Sequence, residues 1–202
     1  MMASAVRRIK RRSLVDALYI FNNLLVGAGV RDKVNVIASG KITSGLAMYR
    51  AFALGATRPG FLFSLGCAQS LKCHTNKCPM KIATQDKRLQ YELVVSDKAE
   101  RVYKFHRKTV EAAMDLVLAS GHVHPRKLSS GLIHIRGPNH IALTYAQLYP
   151  PLQSGELLTG GGAQGVGLKE AWDKGLKKFK AVKQIYIYKF TFIAGWRGTR
   201  PR

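Results

Sequence analysis

The chain reads as an α/β protein, and three stretches of its sequence carry that reading. Val34-Asn35-Val36-Ile37-Ala38 is a short β-branched run, which predicts a strand. Ser39-Gly40 closes that run with small residues, and an apolar-periodic segment through Leu54 predicts the helix that follows. Strand, turn and helix in that order make one βα unit. Two longer amphipathic patterns, Leu14–Leu25 and Ala99–Ala119, flank it along the chain.

In the first helix Leu14, Leu18, Phe21 and Leu25 fall at i, i+4, i+7 and i+11, a single apolar stripe. Ser13 is a suitable N-cap, and Gly27 and Gly29 are suitable stops. The stripe is read as core packing. After the strand, Ser39, Gly40 and Lys41 occupy the turn where backbone can approach a ligand. The N–H groups opening the next helix favour an anion there, although small residues after a strand are also simply a turn. In the long helix Phe105, Thr109, Ala112 and Leu116 share a face, flanked by Val102, Val110, Ala113 and Val117, and Gly121 ends it. His106 within it is read as packing or surface. Asp86–Val95 suggests a short helix and loop.

Several features that tempt a functional reading do not sustain one. His122-Val123-His124-Pro125 would place two histidines on one face if extended, but no carboxylate or third histidine accompanies them, so it reads as a turn. Gly160–Gly167 lacks the Lys-Ser/Thr that ends a P-loop and follows no strand, so it reads as a linker. Residues 129–160 are mixed and broken by Pro138, Pro150 and Pro151. Ile185–Ile193 alternates, with Tyr186, Tyr188, Phe190 and Phe192 on one face of an expected strand.

At 202 residues the chain is long enough for one domain with a sizeable core. Its net charge of +22 raises nucleic-acid binding, since basic proteins neutralise phosphates. The basic residues crowd the two ends, from Arg7 to Arg12 and from Lys174 to Arg202, and no nucleic-acid-binding motif lies between them. A basic RNA-associated protein therefore stays as a secondary alternative. No apolar run approaches the roughly 20 residues of a membrane span. Met1–Arg12 has no apolar segment of the kind that marks a secretion signal, which points to the cytoplasm.

The most informative feature is the placement of the three cysteines. Cys67, Cys73 and Cys78 stand in a C-x5-C-x4-C run within polar, loop-like sequence. A disulfide framework wants an even count and a secreted chain. A structural zinc site wants four ligands, and His74 would complete a Cys3His set. An iron–sulfur cluster takes runs of spaced thiolates, one of which ends in Cys-Pro, as Cys78-Pro79 does. Iron–sulfur, zinc and free thiols all stay open on spacing alone.

The segment Gly66–Asp86 resembles the cluster-binding segment of the FMN-binding domain of glutamate synthases. The likeness rests on Gly66-Cys67, the cysteine spacing, Asn76-Lys77-Cys78-Pro79 and Ala83-Thr84-Gln85-Asp86 in that order. It extends from about Leu14 to about Lys180 and is nearest to the shorter, stand-alone members. The resemblance implies that Cys67, Cys73 and Cys78 each ligate one iron of a three-iron, four-sulfur (3Fe-4S) cluster. It places Ser39, Gly40 and Lys41 at the phosphate of FMN, where a barrel strand ends. It implies an oxidoreductase that reductively aminates 2-oxoglutarate with glutamine-derived ammonia, taking electrons from a donor subunit or ferredoxin. No catalytic acid or base is identified. The family's FMN domain is a TIM (β/α)8 barrel, which typically needs about 250 residues, so this chain is expected to be the C-terminal part of an incomplete barrel. The domain boundaries that follow are a basic disordered arm at 1–12, a partial FMN-binding domain at 13–183 with its cluster segment at 66–86, and an unrelated tail at 184–202. One departure concerns Thr57-Arg58-Pro59-Gly60. There the family has a further strand, and Pro59 leads us to expect none. Lys72 and Lys77 beside the ligands are expected to raise a cluster's potential.

Overall fold

The computed structural model describes residues 13–136, 140–148, 150–159, 172 and 191–194. The expected basic arm at 1–12 and the glycine-rich linker at 160–167 lie outside the described residues. Helix α1 spans Leu14–Gly27. Ser13 starts it as expected: its Oγ accepts the Asp16 N–H at 3.2 Å and donates to the Asp16 carboxylate at 2.8 Å. The predicted stripe faces inward, with Leu18, Phe21 and Leu25 buried and Leu14 packed against them. Gly29 takes φ 66° just past the helix end, a conformation open to glycine.

Strand β1, Asn35–Ala38, sits at the centre of the molecule. Its alternation buries Val36 and Ala38 completely beneath the helices. Strand β2 is only Arg58–Pro59, and it pairs parallel to β1, with Ile37 opposite Arg58 and Ala38 opposite Pro59. This corrects the expectation that Pro59 forbids a strand here. The bonds to β1 are donated by the residues flanking the strand: Thr57 N–H to Val36 O and Gly60 N–H to Ala38 O, each at 2.7 Å. The absent proline N–H is therefore not required, and β2 lies at a sheet edge, where proline is tolerated.

Strands β3, His134–Arg136, and β4, Ala142–Thr144, form an antiparallel pair that the sequence did not suggest. Strand β5, Thr191–Ala194, pairs parallel to β1 along its whole length, from Asn35 opposite Thr191 to Ala38 opposite Ala194. The described parallel sheet thus has the order β2-β1-β5. The expected strand at 185–193 is described only from Thr191, and the remainder of the stretch lies outside the described residues.

Helix α2, Gly45–Ala53, follows β1 and is capped by Ser44, whose Oγ accepts the Ala47 N–H at 3.2 Å. Helix α3, Lys87–Tyr91, is short, and α4, Val95–Ala119, is the long helix, begun four residues before the expected Ala99. Helix α4 packs on α2 through Thr109, Ala113 and Val117, all buried. Ala112, expected on that face, is exposed, so the buried stripe is rotated by about one residue. The two helices meet closely at Gly45, where a Cβ would lie 2.7 Å from Ala112 Cβ and 2.8 Å from the α4 backbone. Helix α5, Tyr145–Leu148, brings the buried Tyr145 ring edge-on to Tyr19 of α1.

Two polar devices lock this core. Arg31, in the turn before β1, donates to Asn22 Oδ1 at 2.6 Å, Val34 O at 2.8 Å and Gly55 O at 2.9 Å. It thereby ties α1, β1 and the approach to β2. Burial lowers its pKa, against a smaller upward pull from Asp32, but a guanidinium stays charged throughout. Farther along, Gly155 and Leu157 donate backbone bonds to Val26 and Gly27 O, and Leu152 and Leu157 pack on Ile20.

Candidate metal centre

The cysteine segment follows β2, and the chain leading into it packs on α4, with the Phe63 and Phe105 rings 5.8 Å apart. The backbone makes a single-turn helix at Leu62–Leu65, and Gly66 ends it at φ 92°. Cys67 follows, half-buried, its N–H bonded to Leu62 O at 3.3 Å. Cys73 opens a second short turn, Cys73–Thr75, and is exposed. Cys78, half-buried, begins the turn Cys78-Pro79-Met80-Lys81, closed by Lys81 N–H to Cys78 O at 3.0 Å. Proline at the second position pre-sets that turn's φ. A Cβ added at Gly66 would lie 3.5 Å from Met80 Cε, so the chain flanking the first cysteine returns to the chain flanking the third.

This loop holds an unusual concentration of left-handed backbone. Gln69, Leu71, Asn76 and Lys81 all have φ between 53° and 62°. Such conformations in non-glycine residues cost free energy and persist only where surrounding bonds over-determine them. They also turn successive N–H groups to the same side, making concavities that bind anions.

Burial pushes the Cys78 thiol pKa up, but backbone hydrogen bonding from Ala83, Ile82, Met80 and Lys81 together outweighs it and holds the thiol below the free-cysteine value. The thiolate is the form that ligates metals. The local chemistry therefore fits an anionic sulfur ligand at Cys78.

The sequence elements behind this geometry are bonded to one another. Asn76, at φ 62° between Cys73 and Cys78, turns its side-chain oxygen toward the Ala83–Asp86 strip. Its Oδ1 accepts the Gln85 N–H and, at 3.0 Å, the Thr84 hydroxyl. Thr84, itself buried, accepts the Asp86 N–H at 3.1 Å, while its carbonyl accepts from Gln90 Nε2 at 2.8 Å. Asp86 caps α3 by accepting the Arg88 N–H at 2.9 Å. An ion pair between Lys81 and Glu92 joins the same loop to the end of α3. Sequence reasoning used Ala83–Asp86 as a signature; its physical role as a brace becomes visible only in three dimensions.

The other expected residues fall as follows. His74 lies in the turn with Cys73, and among the described residues no group of three His, Cys, Asp or Glu side chains converges as a single ion requires. The three cysteines and His74 therefore do not close on one ion in this conformation, and it does not separate the zinc alternative from the iron–sulfur one. Lys72 and Lys77 are exposed. His124 caps the short turn Pro125–Lys127, its Nδ1 accepting the Arg126 N–H at 3.1 Å, which agrees with the turn reading. The His106 ring stands edge-on to Phe61 at 5.0 Å, a packing role.

Ser39, Gly40 and Lys41 lie at the carboxyl end of β1, apart from the cysteines in sequence but on the same α/β unit. Gly40 has φ 143° and Lys41 φ 55°, so the turn departs from the strand sharply before Ser44 caps α2. The adjoining end of β2 crowds it: a Cβ at Gly60 would lie 2.8 Å from Ser39 Oγ. This is a backbone-rich strand end beside a helix N-terminus, chemistry suited to a phosphate.

A parallel α/β unit carrying a thiol-bearing loop braced by polar contacts is the class that fold and site define. The conserved region in glutamate synthase matches residues 13–123, and the chain belongs to the glutamate synthase family. It is 35% identical over 136 residues to the glutamate synthase large subunit-like protein YerD of Bacillus subtilis, covering 60% of this chain and 26% of that protein. Against the archaeal-type glutamate synthase [NADPH] of Dehalococcoides mccartyi it is 28% identical over 125 residues, covering 60% of this chain and 25% of the relative. A ferredoxin-dependent chloroplastic glutamate synthase of Arabidopsis thaliana is 36% identical over 70 residues, which are 33% of this chain and 4% of that enzyme. The chain thus spans about a quarter, or far less, of these relatives. No solved structure matches it.

Proposed function

We propose that this chain is the cluster-bearing, C-terminal part of a glutamate synthase-type FMN domain, a portion of a (β/α)8 barrel. In this reading Cys67, Cys73 and Cys78 hold a three-iron, four-sulfur cluster, and Ser39, Gly40 and Lys41 meet the phosphate of FMN. Bound together, the two groups would supply electron transfer and hydride delivery for reductive amination of 2-oxoglutarate, with ammonia derived from glutamine. The chain's own residues bind and orient. Backbone hydrogen bonding favours the anionic form of the Cys78 sulfur, Asn76 and Thr84 hold the loop, and the α2 N-terminus favours the phosphate. The names of relatives suggest the electron donor: ferredoxin for the plant enzymes and NADPH for the archaeal-type one. A reducing cytoplasm suits the three free thiols.

The observation that carries this reading is the loop at 66–86, which presents Cys67, Cys73 and Cys78 at the family's spacing and is braced through Asn76 and Thr84. The test is anaerobic reconstitution of the full chain with iron and sulfide, followed by metal analysis and visible and electron-spin spectra. Three irons per chain with a broad sulfur-to-iron absorption are expected, and Cys73→Ser abolishes them. Stoichiometric zinc with no iron uptake would sink the reading. A separate titration with FMN, followed by quenching of flavin fluorescence, tests the strand-end site; Lys41→Glu should weaken it.

A further inference from the structure

The loop between the second cysteine and α3 is closed by side chains that bear no metal-ligating atom. Asn76 is the centre of that closure. Its Oδ1 takes two donors at once, the Gln85 N–H and the Thr84 hydroxyl. The Gln85 bond requires oxygen rather than nitrogen at that position, which sets the amide's orientation. The Thr84 hydroxyl also lies 3.0 Å from the Asn76 carbonyl, so its one hydrogen is shared within the same residue's reach. Thr84 is 7% exposed, while the residues on either side of it are exposed. It is the single buried polar anchor of the segment, and its own bonds run forward to Asp86 and Gln90.

The consequence is geometric. Asn76 lies two residues before Cys78 and three after Cys73. The turn Cys78–Lys81 lies between Asn76 and Thr84 in the chain. Bonds from Asn76 to Thr84 and Gln85 therefore close a ring of chain with Cys78 inside it. Opening those bonds frees the Cys78 turn to change shape.

We propose that Asn76 and Thr84 form a clasp that positions Cys78 before any cluster is present, so that retention of the cluster depends on two residues that do not touch it. This rests on the iron–sulfur reading above. Residues that orient metal ligands in this indirect way commonly change metal affinity by about 10- to 100-fold when removed.

Four variants separate the clasp from the fold and from the metal. Thr84→Val keeps the shape and removes the hydroxyl; Thr84→Ser restores the hydroxyl. Asn76→Gly keeps access to the left-handed backbone and removes only the Oδ1 acceptor. Cys73→Ser removes a ligand. Each full-length chain is reconstituted anaerobically, and cluster loss to an iron chelator is timed by absorbance. Amide exchange at Gln85 is read on the metal-free chain. Thr84→Val and Asn76→Gly should lose the cluster about 10-fold faster or more, and should lose Gln85 protection, with an unchanged thermal midpoint. Thr84→Ser should track the parent in both measurements. Loss rates for Thr84→Val and Asn76→Gly equal to the parent's overturn the clasp, as does free-chain exchange at Gln85 in the metal-free parent. If the parent takes up no iron, the iron–sulfur reading falls and the positioning role with it, whatever Gln85 exchange then shows. Should Thr84→Val fail to fold, Asn76→Gly carries the same comparison.

Discussion

The α1–β1–α2–α4 core and the loop at 66–86 are held together by different physics. In the core, Leu18, Val36, Met48, Leu54 and Val117 are almost wholly buried and form one continuous apolar cluster. Backbone there is regular, and burial supplies the stability at about 25 cal/mol per Å² of apolar area. In the loop, Ala68 to Lys77 is entirely exposed, and four non-glycine residues from Gln69 to Lys81 carry positive φ. Its order comes from specific hydrogen bonds centred on Asn76, Thr84 and the Cys78 carbonyl. Burial tolerates substitution by shape and size, whereas a polar loop in strained backbone is specified residue by residue. A loop of that kind is poor at stabilising a fold and well suited to presenting donors.

That contrast can be broken most forcefully in the core. Leu18→Ala should cost about 2–5 kcal/mol of unfolding free energy, read from a urea or thermal transition, while leaving Gln85 exchange in the surviving folded chains unaltered. A cost well under this range would mean that the cluster around Leu18 is looser than its burial indicates. Gly45→Ala comes next, because its Cβ would press on the α4 backbone as well as on Ala112. Prying α2 from α4 should cost about 1–3 kcal/mol, and the same transition measures it.

In the loop the effects are local and chemical. The Cys78 thiol, held below the free-cysteine value by backbone N–H groups that outweigh its burial, should be alkylated in the metal-free chain with a pH midpoint below that of a free cysteine peptide. The linkage has a definite sign. A depressed folded-state pKa contributes stability that is complete above the unfolded value and is lost as pH falls through the folded value. Peptide mapping of iodoacetamide labelling across pH measures the midpoint; one at or above the free value would show that the N–H groups do not face the sulfur in solution. The smallest effect belongs to Lys72 and Lys77. Both are exposed, so salt and water screen them. Replacing both with Gln should lower a reconstituted cluster's midpoint potential slightly, and less so at high salt. An upward shift would contradict the electrostatic account.

Much of this molecule was legible in its residues. The stripe Leu14, Leu18, Phe21, Leu25 and the Ser13 cap located α1, and Val34–Ala38 located β1, because periodicity and capping are local properties. The cysteine spacing and the Asn76–Pro79 and Ala83–Asp86 strings were legible as a family signature, which the match over 13–123 supports. Less legible was anything that depended on a distant partner. Pro59 argued against a strand until Thr57 and Gly60 were seen to donate on its behalf. The buried face of α4 was misjudged by one residue, at Ala112 against Ala113, because periodicity alone does not say which flank of the stripe meets its partner helix.

The start of α1, strand β1 and the spacing of the three cysteines follow from the chain itself, since each depends on neighbours a few residues apart. The joining of Asn76 to Thr84, the pairing of β2 with β1 beside Pro59, and the placing of β5 against β1 required the folded molecule. Hydrogen bonds across several residues of strained loop, and strand pairs separated by most of the chain, leave no periodic trace in sequence; they exist only once the intervening backbone has been brought to one place.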